Sequence, residues 1–567
     1  MQHRTGPKRP VYRALIRSAR RGVGGEGLSM ARSLGEQSKK ASSGRSRNEH
    51  QVGVVRRILV AGAWVLGVVL AFVIYLRVAG TFPADSDAAS NALQAWDMLH
   101  GNVLLHGWSL SDVSFYTTEL PQYMLVELVR GLNQGDVHVA AAMTYTLVVL
   151  LAALLAKGSS TGREALVRAG VAAGIMLVPQ FATGVNVLMS SPDHIGTTVP
   201  VMVVWLILDR GPRRWYIPVI AGALLAWAGV ADPLVLYIGT LPLALVCAIR
   251  AYHAVAVERQ PLASQWYDLA LIAAALLAVI AAALALHLIH AAGGFAVTHS
   301  PNHFVQSGSL LPRNVAFTVE ALLLLGGADF VGLQLSASTL TTLLHLVGVF
   351  LAAWGTWLAA RHFLRNRDLV EQVLVTAILI NLAAYLISTK PHVVTGAREI
   401  AAVLPYSAAL AGRLLGARLI SAKLVPILAV VGIGYLFGLV HDVSRPQVPA
   451  QNQRLEAFLV AHHLHTGLSG YWESNIVTLT SGDRAQVRMV QSVGGRLAAA
   501  RYESKASWYD PARANANFVV IFHGIRGFPG FSRAQKVEAT FGPPARTYQA
   551  GPYTVLVWNR NLLRDLG

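Results

Sequence analysis

The chain is 567 residues long, 54% hydrophobic and only 13% charged, and its mean hydropathy of +0.47 excludes a soluble globular domain, which would have to expose large apolar patches. Apolar runs of about 20 residues recur, the length that crosses about 30 Å of hydrocarbon, so the chain reads as a polytopic α-helical membrane protein; a β-barrel would need short alternating strands, which are lacking. The net charge of +18 gathers in short loops and in the first stretch, at Arg4, Lys8, Arg9, Arg13, Arg17, Arg20, Arg21, Lys39, Lys40, Arg45 and Arg47, a distribution that suits an anionic membrane surface and no nucleic acid.

From the N-terminus, residues 1–55 are rich in Arg, Ser and Gly without a sustained apolar period and read as a basic disordered cytoplasmic tail. The run at 58–76 is too long for a signal-peptide core and is expected to remain as the first helix. Spans are expected near 57–79, 137–156, 165–183, 195–208, 215–231, 233–249, 268–290, 337–360, 369–388, 399–415 and 424–441, about eleven in all, with 315–325 a further short or re-entrant helix. Cys247, the single cysteine, lies inside an apolar span, which excludes a disulfide framework and a cysteine metal site.

Lys and Arg mark the cytoplasmic loops. With the basic tail inside, the loops carrying Lys157 and Arg163, Arg210, Arg213 and Arg214, Arg250 and Arg259, Arg361, Arg365 and Arg367, and Arg413, Arg418 and Lys423 all fall on that side. The opposite face receives the Asp85 loop, the Ser190-Ser191-Pro192-Asp193-His194 turn, the Asp232-Pro233 turn, the 291–336 loop, the 390–398 loop and the C-terminal tail. From 442 the composition becomes water-compatible over more than about a hundred residues, enough for one small domain. Helical periodicity near 453–465 and 533–541, with β-rich runs at 475–480, 486–490, 518–522 and 553–558, predicts an extracytoplasmic α/β domain over 442–567 beside a membrane domain over 56–441.

Phe82-Pro83-Ala84-Asp85-Ser86-Asp87 follows the first span directly. Carboxylates at the mouth of an apolar bundle suit a general base beside a lipid-linked substrate, while Asp85 or Ser86 can equally cap the helix starting near Ala88. Asp193-His194 opens another helix on the same face. Such a pair can bind a divalent cation or orient an acceptor, although adjacent helical residues point about 100° apart, and Asp193 is as well placed to cap. Lys390, His392 and Arg398 interrupt the positive-inside trend. Arg398 stands where a helix N-terminus would add N–H groups to its charge and hold a phosphate; snorkelling, or pairing with Glu399, is the plainer alternative.

Among His106, Trp108, Asp112, Tyr116, Glu119 and Tyr123 in the first loop, and in Tyr471-Trp472-Glu473 and Trp508-Tyr509-Asp510 further on, aromatics can stack on sugar rings while acids accept hydroxyl hydrogen bonds, but interfacial anchoring and core packing account for them as readily. Pro301 argues against a helix carrying His299 and His303, so no zinc site is assigned. No cofactor is assigned either, a divalent cation being the one the residues would allow.

With an inside N-terminus, a first external loop opening on acids, many helices and an external C-terminal domain, the stretch 57–441 resembles the GT-C superfamily of membrane glycosyltransferases, which includes protein O-mannosyltransferases and aminoarabinose transferases. The motif match is Asp85-Ser86-Asp87, followed by Asn91-Ala92-Leu93-Gln94-Ala95-Trp96-Asp97-Met98-Leu99-His100-Gly101-Asn102; the acids are separated by one residue instead of adjacent. The resemblance implies a multi-pass cell-membrane enzyme that moves a sugar from a polyprenyl-phosphate donor to an envelope glycan, lipid or protein acceptor. Asp85 or Asp87 would act as catalytic base, with Arg398, Lys390, Asp193 and His194 binding substrate. A secondary transporter or flippase is the competing class, but it would place charges near the bilayer centre, whereas these polar groups collect at one edge. A noncatalytic envelope scaffold is the third.

Overall fold

The structure is a computed structural model describing residues 62–189, 194–298, 304–305, 307–334, 337–524 and 534–566. The expected tail at 1–55, Asp193, His299 and His303 lie outside the described residues. The described residues divide after Leu70 into two units, and everything from Ala71 onward concerns the second.

In chain order the helices of the membrane part are α1 (Gly62–Ala79), α2 (Ser86–Leu99), α3 (Glu119–Arg130), α4 (Asp136–Lys157), α5 (Gly162–Ile175), α6 (Thr183–Met189), α7 (Thr198–Arg210), α8 (Tyr216–Ala231), α9 (Leu236–Val257), α10 (Leu262–Ala291), α11 (Gly308–Leu325), α12 (Thr339–Arg361), α13 (Leu369–Leu386), α14 (Val394–Ile400), α15 (Val403–Ser421) and α16 (Val425–Val443). Among the described residues eight are long and apolar enough to cross a membrane, and nine if the bent pair α14 and α15, which meet at 61°, forms one span.

Eight or nine spans among the described residues do not confirm the count of about eleven. The run at 165–183 stops at Ile175 ahead of Pro179 and resumes as the seven-residue α6, because proline cannot continue a helix. The run at 195–208 makes a helix of only 13 residues. In the other direction, 315–325 extends back to Gly308 and reaches spanning length.

Close helix packing rests on small residues, as membrane bundles require when no water is available to drive apolar association. A Cβ built on Gly355 of α12 would sit 2.6 Å from the Ala411 Cα of α15. At the end where the loop charges predict the cytoplasm, the buried Arg413 guanidinium joins Asp209 at 2.6 Å, Asp368 at 2.5 Å, Glu371 at 3.1 Å and the Leu155 carbonyl at 3.1 Å, pinning α15 to α4, α7 and α13.

The C-terminal part contains α17 (Gln453–Ala461), α18 (Tyr471–Thr480) and α19 (Ala534–Phe541) around strands β3 (Thr466–Ser469), β4 (Gln486–Val493), β5 (Arg496–Ala499), β7 (Phe518–Phe522), β8 (Arg546–Ala550) and β9 (Tyr553–Val557), in sheet order β5-β4-β3-β7-β9-β8. Strands β3, β4 and β7 run parallel, and α18 is the crossover between β3 and β4. This corrects the β-rich reading of 475–480: Ile476, Val477 and Leu479 face the buried core from a helix, because the packing of the crossover outweighs β propensity. A second sheet has the order β2 (Ala296–Val297), β1 (Trp108–Leu110), β6 (Ser504–Lys505). It ties the first loop, the late loop and the C-terminal part together, and one apolar cluster runs from Ala88 and Tyr123 to Leu455 and Phe518.

Candidate functional site

Asp85 has extended backbone angles and accepts a hydrogen bond from the Ala88 amide at 3.2 Å, as an N-cap residue does. Asp87 lies in the first turn of α2, half-buried, where the helix dipole favours a carboxylate. Its Oδ1 contacts the Tyr471 hydroxyl, and that hydroxyl also contacts Glu503 Oε2. The two acids of the motif thus face different surroundings. Asp85 caps the helix start, Asp87 meets Tyr471 of the C-terminal part, and both act electrostatically on Glu503.

Proton counting constrains the trio. The Tyr471 hydroxyl has one proton and two carboxyl neighbours, so one carboxyl must itself carry a proton. Glu503 is that group: burial, reinforced by the Asp87 charge, holds its pKa well above the carboxylate range. Glu503 also has a left-handed backbone, φ 44°, an arrangement that costs a non-glycine residue on the order of 1–3 kcal/mol. Strain of this kind is retained where the surrounding packing and hydrogen bonds over-determine it; here the Glu503 carbonyl accepts from Asn475 Nδ2 at 3.1 Å.

Beside this trio lies a cavity of about 350 Å³, lined by Asp112, His194, Asp232, Tyr237, Lys390 and Glu399 among others. Lys390 Nζ stands 2.9 Å from Glu399 and 4.0 Å from Asp112. His194 bridges Asp232, through Nδ1 at 2.7 Å, and Glu399, through Nε2 at 3.3 Å. Thr197 and the Leu234 amide complete the Asp232 shell at 2.7 and 2.8 Å. Burial opposes charge on His194, but two carboxylates facing its two nitrogens outweigh it and raise its pKa well above the usual value, so it stands as an imidazolium. The short α14 presents Arg398 and Glu399 side by side.

Tyr502 connects the two halves. Burial raises its pKa most, and Glu503, Asp87 and Asp112 add to that while Arg398 opposes it, so all four groups lie within electrostatic reach of one phenol. Of the residues singled out in the sequence, Asp87 and Arg398 thus share a neighbour, Lys390 and His194 share Glu399, Asp85 lies at the helix cap, and Asp193 lies outside the described residues. Glu399, Asp232, Asp112, Tyr471, Tyr502 and Glu503 complete the arrangement; of these the sequence offered Asp112 and Tyr471 only as candidate sugar contacts and Glu399 only as a partner for Arg398, and gave Asp232, Tyr502 and Glu503 no role. Asp232 had a signal, a predicted external turn before Pro233. Glu503 had none, since its place depends on a strand pairing with residues almost four hundred positions away. Among the described residues no cluster of three or more His, Cys, Asp or Glu side chains is arranged to hold a metal ion.

No protein-family model matches the chain, and no curated protein sequence does. Among solved structures, ArnT from Cupriavidus metallidurans in the apo state is similar over 90% of this chain and 99% of its own, with a TM-score of 0.50 and 14% sequence identity. The oligosaccharyltransferase of Archaeoglobus fulgidus in the apo form is similar over 81% of this chain and 69% of its own, with a TM-score of 0.44 and 13% identity. The likeness to ArnT is one of fold.

Proposed function

We propose that this multi-pass membrane protein of GT-C fold is a glycosyltransferase that moves a sugar from a polyprenyl-phosphate donor to an envelope acceptor on the extracytoplasmic face. The observation that carries the reading is the meeting of Asp87 and Glu503 on the Tyr471 hydroxyl, whose ring lies 5.4 Å from that of Tyr502, together with the cavity that Asp112, Lys390 and His194 line. In the reaction a bond forms between the acceptor oxygen and the anomeric carbon while the bond from that carbon to the donor phosphate breaks. The acceptor hydroxyl gives up its proton and the phosphate leaves with the electron pair.

Asp87 is the base. Glu503, kept neutral, lends no second negative charge, so Asp87 remains ionised and able to accept the proton. Lys390, Arg398 and the His194 imidazolium offset the charge that develops on the leaving phosphate. Glu399 holds Lys390 and His194 in place, and the C-terminal part covers the site and contributes to acceptor recognition. The N-terminus lies in the cytoplasm under this reading, as the loop charges predict.

Purified protein supplied with radiolabelled polyprenyl-phosphate sugars tests the reading. Transfer that disappears in Asp87→Asn and survives in Asp85→Asn supports it. Full transfer by both variants and by the double variant removes the base, and substrate uptake without transfer would identify a transporter instead.

A further inference from the structure

A second cavity, of about 430 Å³, lies between α2, β1 and the C-terminal part. Trp96, Trp108 and Trp508 contribute to its wall, with the Trp108 and Trp508 rings packed edge to face at 4.9 Å. Most of its charges are already matched. Lys505 binds Asp97 at 2.9 Å, and Asp97 also accepts from the Trp108 indole at 2.7 Å. Arg513 pairs with Asp510 at 3.3 Å.

Arg488 and Asp483, which also line the cavity, form no ion pair within 4.0 Å of each other. Arg488 projects from β4 with only 4% of its surface exposed, its guanidinium lies 3.8 Å over the Trp508 ring, and its Nη1 has no hydrogen-bond partner. Asp483 acts on it electrostatically, but burial dominates and lowers its pKa to about 10. A buried guanidinium nitrogen without an acceptor is costly. The arrangement makes sense when an anion enters the cavity, because a planar donor fork matches a carboxylate or phosphate. Trp108 is buried and Arg488 covers the Trp508 ring, so the half-buried Trp96 is the indole that adds a stacking surface for the apolar side of a sugar ring. The exposed His100 and Arg513 also belong to the lining, so a ligand has a route in.

We propose that this cavity is a binding subsite for an anionic saccharide, one carrying a carboxylate or phosphate group, which docks on Arg488 and stacks on Trp96. The identity of the ligand as a sugar rests on the glycosyl-transfer reading, whereas the site is independent of Asp87.

Titration calorimetry on the full chain in lipid nanodiscs tests it, with a galacturonate trisaccharide, glucose 6-phosphate, a neutral glucose trisaccharide and inorganic phosphate as probes. At least one anionic sugar is expected to bind about tenfold or more tightly than the neutral sugar and than inorganic phosphate, since a charge-assisted hydrogen bond and ring stacking each carry about that factor. Arg488→Met and Trp96→Ala are each expected to weaken that binding about tenfold without lowering the unfolding temperature. The same titrations on Asp87→Asn protein separate the two readings, because binding there persists with transfer abolished. Equal binding of the neutral sugar, equal binding of inorganic phosphate, no binding of either anionic sugar, or undiminished binding by Trp96→Ala overturns the proposal. Should Arg488→Met fail to fold, the Trp96→Ala and neutral-sugar arms decide.

Discussion

Tyr471, at the start of the crossover helix of the C-terminal sheet, hydrogen-bonds Asp87 in the first turn of α2, 384 positions earlier in the chain. The contact makes the C-terminal part a component of the candidate site, because the same hydroxyl also meets the buried Glu503. Removing the hydroxyl deprives Asp87 of a donor and Glu503 of one of its two side-chain partners, the other being Ser90. Tyr471→Phe is expected to lower transfer by about tenfold and stability by about 1–3 kcal/mol, read from initial rates and denaturation midpoints. Wild-type behaviour in both would show the trio to be incidental.

The two acids of the motif are expected to separate cleanly. Asp85→Ala removes the cap on Ala88 and should cost about 1 kcal/mol of stability with transfer largely kept. Asp87→Asn should reduce transfer by about 10²–10⁴-fold with little change in unfolding. The opposite ranking of rates would move the base to Asp85.

His194 stands between two carboxylates, and Asp232 beneath it has a fully buried side chain. His194→Ala strips that buried carboxylate of its ion pair, for which about 3–5 kcal/mol of destabilisation is expected. His194→Ala combined with Asp232→Ala should recover part of the loss, and a double variant less stable than the single one would contradict the pairing.

Glu127 and Glu119 of α3 have pKa values pushed up by burial, to about 9 and about 8, and neither oxygen of the Glu127 carboxyl has a hydrogen-bond partner. Between the unfolded value of about 4.3 and these folded values, the folded chain holds protons that the unfolded chain has released. Their contribution to stability is therefore complete below about pH 4.3 and is lost as pH rises towards 9. Glu127→Gln should flatten this slope, and melting temperatures measured from pH 5 to 9 in nanodiscs check it. A variant profile as steep as that of the unmodified protein would exclude Glu127 as its source.

Gly355 of α12 faces Ala411 of α15 so closely that a methyl group cannot enter without moving backbone. Gly355→Ala is expected to destabilise by about 1–3 kcal/mol, measured by unfolding in mild detergent. An unchanged midpoint would mean that the two helices can part at no cost.

Much of the architecture was readable from local pattern. Apolar runs of spanning length, the basic loops between them, and β7 and α19 of the C-terminal part all depend on a few neighbouring residues, since hydrogen bonding within a helix and burial of one face leave a periodic trace. The break within the run at 165–183, before Pro179, escaped because hydropathy alone does not reveal it. The 475–480 segment escaped because β-branched residues there serve a buried helix.

The candidate site divides along the same line. Asp87, Lys390, His194 and Arg398 could be picked out one at a time, as polar groups at the rim of an apolar bundle. Which carboxylate meets Tyr471, that Glu399 joins Lys390 to His194, and that Arg488 lies buried over Trp508 follow from segments hundreds of residues apart closing on each other. Periodicity carries no record of such contacts, because they are set by how helices and strands pack together and by where the loops between them can reach.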